Sequence, residues 1–594
     1  GLRRKADHSH PPTSMASFFL RSRFSKTTLR LFQALPRRFK KCFYLSAGVA
    51  LAGGAVAQLG WSEALAEAMK GKRMKIANWS NTHSVEGVLY QPSSLEELEQ
   101  LVEHCHENGI QLRPVGAGIS PNGIGFSEAG MVNLSKLNNL ISVDQQKCLV
   151  TVQSGMRVSE LVDALKPYGL TLANYASIKE QEVGGLIQAG AHGTGASIPP
   201  LDDTVTAMTI VTPAKGTLKV TKSHTPWVFN LLKVGLGSFG VVADVTIQCV
   251  PMHNLEEHTF TATRKEIAEN HSNWLKNNKH IRYMWIPYTD TVVVVTNNPT
   301  KKAKTPESDG EVDEEEIARM KPLRSLLKEC IKQTSEERRE SLGLDADLVE
   351  SLNFAECRDW LLKVKSLDTK HVQSINRAEA AFWRNSEGKV VGDSSEMLQF
   401  ECGGEQLVLE VAFPTGTLDN LEKPIPNPDR KIQPPSTDIG FVLDLLDDIE
   451  SKGFPAPAPI EQRWTQASHS LMSPAFSNSK NDVFSWVGIV MYLPIRDPKV
   501  RKDITDAFGV YSKSVRRIGA KMPADIYPHW GKIEMPENEK EKKMDQEWLK
   551  RRYPVDLFNM VRLSLDPKGI CANKAVNEAF PLPNSRAYGQ FSPE

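Results

Sequence analysis

Residues 113–125 read RPVGAGISPNGIG and follow a predicted strand, the place where a phosphate-binding loop stands in many nucleotide-binding folds. Gly116 and Gly118 carry no side chain, so backbone N–H groups could face an anion, and Ser120 and Asn122 could add hydrogen bonds. The loop lacks the third glycine of the GxGxxG pattern, and the chain has no GxxxxGK[ST] loop. Taken alone, these residues also fit an ordinary glycine turn.

Two further glycine-rich stretches change that balance. Residues 183–196 read VGGLIQAGAHGTGA, and residues 235–245 read GLGSFGVVADV. Glycine clusters on either side of one short helical turn let the backbone approach a flat ring and a diphosphate, which bulky side chains would block. Three such loops close together in one chain therefore favour a bound dinucleotide-like cofactor over unrelated turns.

The residues around the first loop alternate between predicted strands and helices. Ser94 with Glu97 forms a capping box ahead of an apolar helical face, and Gly109 is a typical helix end. Further strands are predicted near Met131 and Leu149. This alternation with short links predicts a sheet that is covered by helices.

Together, the three glycine-rich loops make the chain resemble a known family. The three loops, in this order and spacing, are similar to the FAD-binding domain of the vanillyl-alcohol oxidase superfamily. More narrowly, the chain resembles the aldonolactone oxidoreductases, above all their plant-type mitochondrial dehydrogenase members. The resemblance covers nearly everything after Ala77, and its remaining motifs are MWIPYTDTVVVVT, APIEQRWT, SPAFS, FSWVGIVMYLP and HWGKIE.

The resemblance implies an α+β fold with a PCMH-type FAD-binding domain of two subdomains and an α+β cap, or substrate, domain. The FAD domain would span residues 78–251, and the cap residues 253–560, with surface-loop insertions near 301–320 and 414–436. Residues 561–594 would form a tail that packs back on the FAD domain.

The family also assigns cofactor contacts, which we carry over position by position. The expected contacts are Gly116, Ala117, Gly118, Ile119, Ser120, Asn122, Ala176, Gly184, Gly185, His192, Gly193, Thr194, Gly240 and Val242. Many relatives carry a histidine that bonds covalently to the flavin where this chain has Ile119. Isoleucine has no nucleophilic atom, so the FAD is expected to be noncovalent. The role expected for His192 is a hydrogen bond that shapes the loop.

Three residues are expected to carry the chemistry. Glu461 and Arg463 alternate in a strand-like segment, so their side chains would point to one side, the Glu towards substrate hydroxyls and the Arg towards a carbonyl oxygen. Lys532 in HWGK would stabilise a reduced, anionic ring or orient the substrate. An exposed cross-strand salt bridge and, for His529 and Trp530, a packed core pair are the alternatives that the residues leave open.

The reaction implied is oxidation of L-galactono-1,4-lactone to ascorbate by hydride transfer to flavin N5. Relatives that use oxygen tend to carry glycine where this chain has Ala176, and the added methyl favours a dehydrogenase with cytochrome c as acceptor. Two alternatives remain: an oxygen-using oxidase of L-gulono- or D-arabinono-lactone, and a mainly non-catalytic assembly partner at the inner mitochondrial membrane.

The N-terminal region, residues 1–70, differs from the rest. From Met15 to Leu59 it contains no acidic residue, while basic residues are spaced among Phe, Leu and Ser, the composition of a mitochondrial presequence. Residues 42–61 form an uncharged run just long enough to cross a bilayer. We expect delivery to the inner membrane or the intermembrane-space side, with this run either cleaved or retained as an anchor.

Composition excludes two further classes of function. The 72 basic residues nearly balance the 71 acidic ones, so no nucleic-acid partner is expected. The 8 cysteines are scattered without CxxC spacing, so no metal site is predicted and buried thiols are the favoured interpretation.

Overall fold

The computed structural model describes residues 70–306, 314–400, 403–426, 428 and 430–582. The predicted presequence and its apolar run at 42–61 lie outside the described residues. Among the residues that are described, no helix has both the length and the apolar character needed to cross a membrane.

The N-terminal part of the described chain is built on three small sheets. Its strands are β1 (Lys72–Ala77), β2 (Ser84–Tyr90), β3 (Arg113–Pro114), β4 (Met131–Val132), β5 (Leu140–Asp144), β6 (Leu149–Gln153), β7 (Leu170–Thr171), β8 (Val205–Thr212), β9 (Gly216–Thr221), β10 (Val241–Gln248) and β11 (Val250–Pro251). In the described residues, the strand orders are β1-β2-β4-β3, β5-β6-β10-β8-β9 and β11-β7. β2, β4 and β3 run parallel, whereas the five-stranded sheet is antiparallel.

The C-terminal part is dominated by one large antiparallel sheet. Its strands are β12 (Asn254–Thr263), β13 (His280–Trp285), β14 (Thr291–Thr300), β15 (Gly388–Asp393), β16 (Gln406–Thr417), β17 (Asn420–Leu421), β18 (Ile460–Gln466), β19 (Asp482–Tyr492) and β20 (Tyr527–Pro528). Within the described part of the chain, their order is β15-β12-β14-β13-β18-β19-β16-β17, and β20 pairs with β16. This long sheet supplies one wall of the site described below.

Helices cover both parts. They are α1 (Leu95–Asn108), α2 (Val158–Leu165), α3 (Val183–Gln188), α4 (Pro226–Leu232), α5 (Arg264–Asn277), α6 (Glu314–Gln333), α7 (Glu336–Leu342), α8 (Phe354–Val364), α9 (Thr369–Arg384), α10 (Ser394–Met397), α11 (Thr437–Lys452), α12 (Pro498–Gly519), α13 (Glu539–Arg552), α14 (Val555–Leu565) and α15 (Lys574–Ala579). Short 3-10 turns lie at Lys166–Tyr168, Leu201–Thr204 and Val349–Ser351.

The ends of α1 lie where the sequence predicts them, although the Glu97 side chain accepts from Ser93 and not from the Ser94 backbone, so the predicted capping box is only half formed. The Ser94 side chain accepts a hydrogen bond from the Glu97 backbone N–H, and Gly109 ends the helix in the left-handed conformation at φ 65°. Leu98, Leu101 and other residues of the buried face join a core that also contains strand residues of this part. Local sequence therefore sets where this helix starts and stops, and its apolar stripe sets which face is buried.

The two faces of the large sheet have different neighbours. Alternate residues such as Leu409 and Val487 pack against α11 and α12 in the main core. On the opposite face, Tyr492 packs with a layer formed by α6, α8 and α9. Another part of that opposite face, which includes Val408, Glu461 and Val490, lines the cavity described below.

The predicted surface loop at 301–320 contains part of a helix. α6 begins at Glu314, and it buries Met320, Leu323, Leu327 and Ile331 on one face. The acidic run at its start masked an amphipathic pattern, because acidic residues are also favourable in the first turn of a helix. In the other predicted insertion, near 414–436, β16 continues to Thr417.

The end of the described chain contacts the first glycine-rich region. The Leu112 N–H donates to the Ile570 carbonyl at 2.8 Å, and Arg113 Nη1 donates to the Cys571 carbonyl at 2.8 Å. The Asn573 amide donates to the Ile124 carbonyl at 2.9 Å. Residues 570–573 therefore fasten both ends of the loop that begins the site.

Candidate functional site

A cavity of about 710 Å³ lies between the glycine-rich loops and the large sheet. Residues 113–122, 184–192 and 236–242 contribute to the wall on one side, which we call the loop wall. Side chains from β13, β16, β18 and β19, together with Lys532, form the other side, which we call the sheet wall. The volume falls within the usual range for cofactor and ligand sites.

The loop wall depends on close backbone approach. A Cβ added to Gly116 would lie 3.8 Å from the Gly185 Cα, so the first two loops lie side by side. A Cβ on Gly184 would lie 2.8 Å from the Ser154 Cβ, and Gly240 has a φ of 140° that favours glycine. These positions explain why this wall is made of glycine.

Most predicted cofactor contacts line this cavity. The residues that do so are Gly116, Ala117, Gly118, Ile119, Ser120, Asn122, Ala176, Gly184, Gly185, His192, Gly240 and Val242. Gly193 and Thr194 lie outside its lining. A Cβ on Gly193 would meet Asn174 Oδ1 at 2.1 Å, and Thr194 Oγ1 donates to the Ile281 carbonyl at 2.5 Å. Gly193 therefore packs against residues 174–175, and Thr194 joins the second loop to β13.

Asn122 differs in role from the sequence-based expectation. Its amide nitrogen donates to the Trp530 carbonyl at 2.7 Å and to the Ile533 carbonyl at 2.8 Å. These two hydrogen bonds use both amide hydrogens, and they tie the first loop to the segment that carries Lys532. We had expected this amide to bind an anion.

The sheet wall brings the three predicted catalytic residues together. Glu461 and Arg463 stand on one face of β18, as their alternation predicts, and Arg463 Nη2 lies 3.5 Å from Glu461 Oε2. Glu461, Arg463 and Lys532 all line the cavity. Arg463 is 5% exposed, so the pair is not a fully solvated surface salt bridge.

A residue that the sequence analysis missed organises this wall. Glu410 on β16 is 1% exposed, and its carboxylate accepts hydrogen bonds from Arg463 at 2.8 Å, from His192 at 3.1 Å and from Lys532. Burial by itself would raise the pKa of Glu410, but Lys532, His192 and Arg463 hold that pKa well below its usual range. The carboxylate is thus ionised and anchors two cations that line the cavity.

The missed signal was a single acidic residue in the apolar run LVLEVAF, residues 407–413. Such a residue faces either solvent or a buried partner, and only the strand pairing decides which. Glu410 pairs with Gly488, and Gly488 pairs with Glu461 on the next strand. The absence of a side chain at Gly488 leaves room between the two acids.

His192 is held beneath the loop wall. Its ring stacks on Trp486 with the centroids 3.6 Å apart and the planes at 12°. Burial, the largest cause, lowers the pKa of His192, whose Nε2 lies 3.1 Å from the Glu410 carboxylate and whose Nδ1 lies 3.0 Å from the Gly193 carbonyl. This agrees in kind with the expected loop-shaping hydrogen bond, which here reaches across to the sheet.

A metal ion fits this cluster poorly. Ligand atoms of His192, Glu410 and His529 lie within 4.8 Å of one another. However, Glu410 already accepts from Lys532 and Arg463, so a metal cation would face two fixed positive charges. His529 Nδ1 accepts from the Gly531 N–H at 3.1 Å, which engages a further ligand atom.

The donors and spaces of the cavity fit FAD. The loop wall offers glycine backbone at Gly116, Gly118 and Gly185, where an adenine dinucleotide's diphosphate needs close approach. The buried Ser154 hydroxyl borders the same space and has no hydrogen-bond partner among the described residues. The sheet wall offers positive charge that faces this loop wall and could stabilise a reduced, anionic flavin ring.

Comparison with known proteins agrees with this geometry. Residues 87–222 match the model of the FAD binding domain, and residues 245–579 match that of D-arabinono-1,4-lactone oxidase. The chain is 47% identical to L-galactono-1,4-lactone dehydrogenase of Arabidopsis thaliana, over 85% of this chain and 81% of that protein. It is 26% identical to L-gulonolactone oxidase of Bos taurus, over 86% of this chain and 99% of that protein.

Solved structures bear on the fold alone. A solvent-stable cholesterol oxidase superposes with a TM-score of 0.62 at 16% identity, covering 85% of this chain and 97% of that one. This likeness, together with the FAD binding domain match, confirms the predicted α+β fold of the vanillyl-alcohol oxidase type. The domain match and the flavoprotein relatives confirm FAD as the cofactor. The chain belongs to the aldonolactone oxidoreductase branch of this superfamily of FAD-dependent enzymes.

Proposed function

We propose that this protein oxidises L-galactono-1,4-lactone to L-ascorbate with FAD and passes the electrons to cytochrome c. The observation that carries the proposal is the sheet wall, where Glu461, Arg463 and Lys532 face a cofactor-sized cavity closed by glycine loops. The similarity to a dehydrogenase of that name supports the choice of lactone.

The side chains suit a neutral, hydroxylated lactone. Glu461 can accept a hydrogen bond from a ring hydroxyl and take its proton as the carbon is oxidised. Arg463 and Lys532 place positive charge where negative charge develops on oxygen. When bound, FAD supplies the acceptor for the hydride. Glu410 accepts hydrogen bonds from both cations and thereby holds them in place.

The same proposal covers the organisation of the chain. Residues 78–251 would bind FAD, residues 253–560 would form the cap, and residues 561–594 the tail. Ile119 lines the cavity and offers no nucleophile, so we propose noncovalent FAD. Acid precipitation should then release the flavin into the supernatant, and flavin that stays with the pellet would contradict this part.

We propose a mitochondrial location, on the intermembrane-space side of the inner membrane. The basic, acid-free residues 15–59 and the mitochondrial relative support it. Fractionation of mitochondria after protease treatment of mitoplasts should show the protein digested only when the outer membrane is opened.

Reduction of bound flavin by the lactone tests the enzyme proposal. Anaerobic addition of L-galactono-1,4-lactone should bleach the flavin of the purified holoprotein. Lys532→Met should slow bleaching by about 10²-fold or more, because one charge at the reacting centre is lost. Lys521→Met, at an exposed helix end, is the matched control. A holoprotein that the lactone never reduces would sink the proposal.

The acceptor is tested at Ala176. This residue is 8% exposed and lines the cavity, where its methyl group narrows the space that oxygen would need. Ala176→Gly should raise oxygen consumption about tenfold while cytochrome c reduction persists, since removing a methyl opens a small channel. Ala458→Gly, also in the lining, is the control. Fast oxidase turnover in the unaltered protein would instead favour the oxygen-using alternative.

A further inference from the structure

The cavity continues beyond the reacting residues along the sheet. On β19, Gly488 stands beside Glu461, while Val490 and Tyr492 follow on the same face and line the cavity. Tyr492 follows Gly488 by four positions, which places the two residues about 13 Å apart along the strand. A six-carbon lactone held at Glu461 does not span that distance, so the far end is a separate compartment.

A buried arginine lies at this far end. Arg358 of α8 is 6% exposed and lines the cavity, with its guanidinium 3.8 Å from the centre of the Tyr492 ring. Its Nε and Nη2 have no hydrogen-bond partner among the described residues. Stacking on an aromatic ring orients the guanidinium plane but leaves its donors unused.

A buried glutamate shares the compartment. Glu379 of α9 is 2% exposed and also lines the cavity. Its Oε1 accepts from Trp383 Nε1 at 3.3 Å, whereas Oε2 has no partner among the described residues. Among the described residues, no carboxylate oxygen lies within 4.0 Å of an Arg358 guanidinium nitrogen.

This arrangement is costly without a ligand. Buried donors and acceptors that lack partners cost free energy, and an unpaired buried charge costs more. Here two such groups face one cavity from neighbouring helices, with the apolar side chains of Val408 and Val490 between them and the reacting residues. The cost is recovered when a polar ligand fills the compartment.

We propose that Arg358 and Glu379 form a second subsite, which binds the anionic enediol product of the lactone oxidation. This inference rests on the proposed function. The substrate lactone is neutral, whereas the enediol is acidic, and its anion spreads negative charge over two oxygens. The planar guanidinium of Arg358 can donate two hydrogen bonds to the two adjacent enediol oxygens, one of which carries part of the charge, and Glu379 accepts from a side-chain hydroxyl.

The subsite gives the product a place to go. At the reacting residues, Arg463 and Lys532 already share the Glu410 carboxylate, whereas Arg358 has guanidinium donors without a partner among the described residues, so Arg358 attracts the anionic product more strongly. The product therefore moves along the sheet wall, away from the reacting residues, before it leaves the protein.

Ligand binding to the holoprotein tests the subsite without turnover. The flavin is reduced anaerobically with dithionite, and binding of L-ascorbate is compared with that of its neutral 3-O-methyl ether. The unaltered protein should bind the anion about tenfold more tightly, since charge-assisted hydrogen bonds are lost with the ether. Arg358→Gln should remove this preference, and Arg358→Lys should retain part of it.

Arg324→Gln is the matched control, because Arg324 is equally buried in the same helical layer but lies outside the cavity lining. Flavin content reports whether each variant folds, and the preference of the unaltered protein is informative even if one variant does not. No preference for the anion in the unaltered protein, or a preference that survives in Arg358→Gln, would overturn the subsite. Failure of the lactone to bleach flavin would instead overturn the proposed function, and the two results are measured separately.

Discussion

The two walls of the cavity are built on opposite principles. The loop wall is made of backbone, and its glycines at 116, 118, 184 and 185 matter for the side chains that they lack. The sheet wall is made of charged side chains, whose positions depend on one carboxylate, Glu410, that does not itself line the cavity. Adding a side chain should disrupt the loop wall, whereas removing a charged group should disrupt the sheet wall.

This difference predicts distinct failures. Steric additions to the loop wall should reduce cofactor binding, whereas charge removal from the sheet wall should reduce turnover and leave flavin bound. The variants below test that separation, in order of decreasing expected effect.

Glu410→Gln should have the largest effect. It leaves Arg463 and Lys532 without their shared anion, which destabilises the folded protein by about 3–5 kcal/mol. Because both cations then lose their fixed positions at the reacting centre, we expect kcat/KM to fall by about 10²- to 10³-fold. Glu410→Asp keeps the charge and should restore part of the loss in kcat, which a purely structural role would not require. Glu405→Gln, at a surface ion pair with Arg501, is the control. Full activity in Glu410→Gln would show that the Glu410 charge is not needed to position Arg463 and Lys532.

Arg463→Lys should come next. The guanidinium bonds Glu410 at 2.8 Å and lies 3.5 Å from Glu461, and a single ammonium cannot hold both geometries. We expect kcat to fall by about 10- to 100-fold with flavin content unchanged. Arg517→Lys, in a half-exposed pair with Asp448, should behave like the unaltered protein. Loss of flavin in Arg463→Lys would contradict this separation, because it would show that the sheet wall is also needed to bind the cofactor.

Gly184→Ala probes the loop wall. Its new methyl would lie 2.8 Å from the Ser154 Cβ, an overpacking that costs about 1–3 kcal/mol. We expect the FAD dissociation constant to rise about tenfold, while protein reconstituted at saturating FAD keeps its kcat. Gly509→Ala, where an added Cβ meets nothing within 4 Å, is the control. Unchanged FAD affinity would show that this glycine is not required.

Glu182→Gln should have the smallest effect. Burial raises the pKa of the Glu182 carboxyl to about 7. The folded state therefore keeps a proton that the unfolded chain releases, and the free energy of unfolding falls as pH rises from about 4.5 to about 7. The amide should remove roughly 1–2 kcal/mol of that loss, measured by denaturant unfolding at pH 5 and pH 8. Glu180→Gln is the control, and equal pH dependence in both variants would contradict the assignment.

The loop wall could be predicted because its signals are local. Closely spaced glycines, which mark where the backbone can approach a ligand or another loop, are visible in the printed sequence. The ends of α1 at Ser94 and Gly109 are visible there too. The alternation of Glu461 and Arg463 likewise placed both on one face.

The sheet wall could not be predicted in full because its contacts are not local. Glu410 reaches His192 across 218 positions and Lys532 across 122, and only the pairing through Gly488 places it beneath them. Arg358 was missed for a related reason, since its exposure depends on how three helices cover the end of the sheet.

The attachment of residues 570–573 to the first loop has a consequence for the order of assembly. Arg113 waits for a carbonyl that lies 458 positions later in the chain. A ribosome makes that partner 458 residues after Arg113, so the first loop lacks this support until then. A chain that is interrupted shortly before Ile570 is therefore expected to bind FAD more weakly, although every glycine of the loops is present.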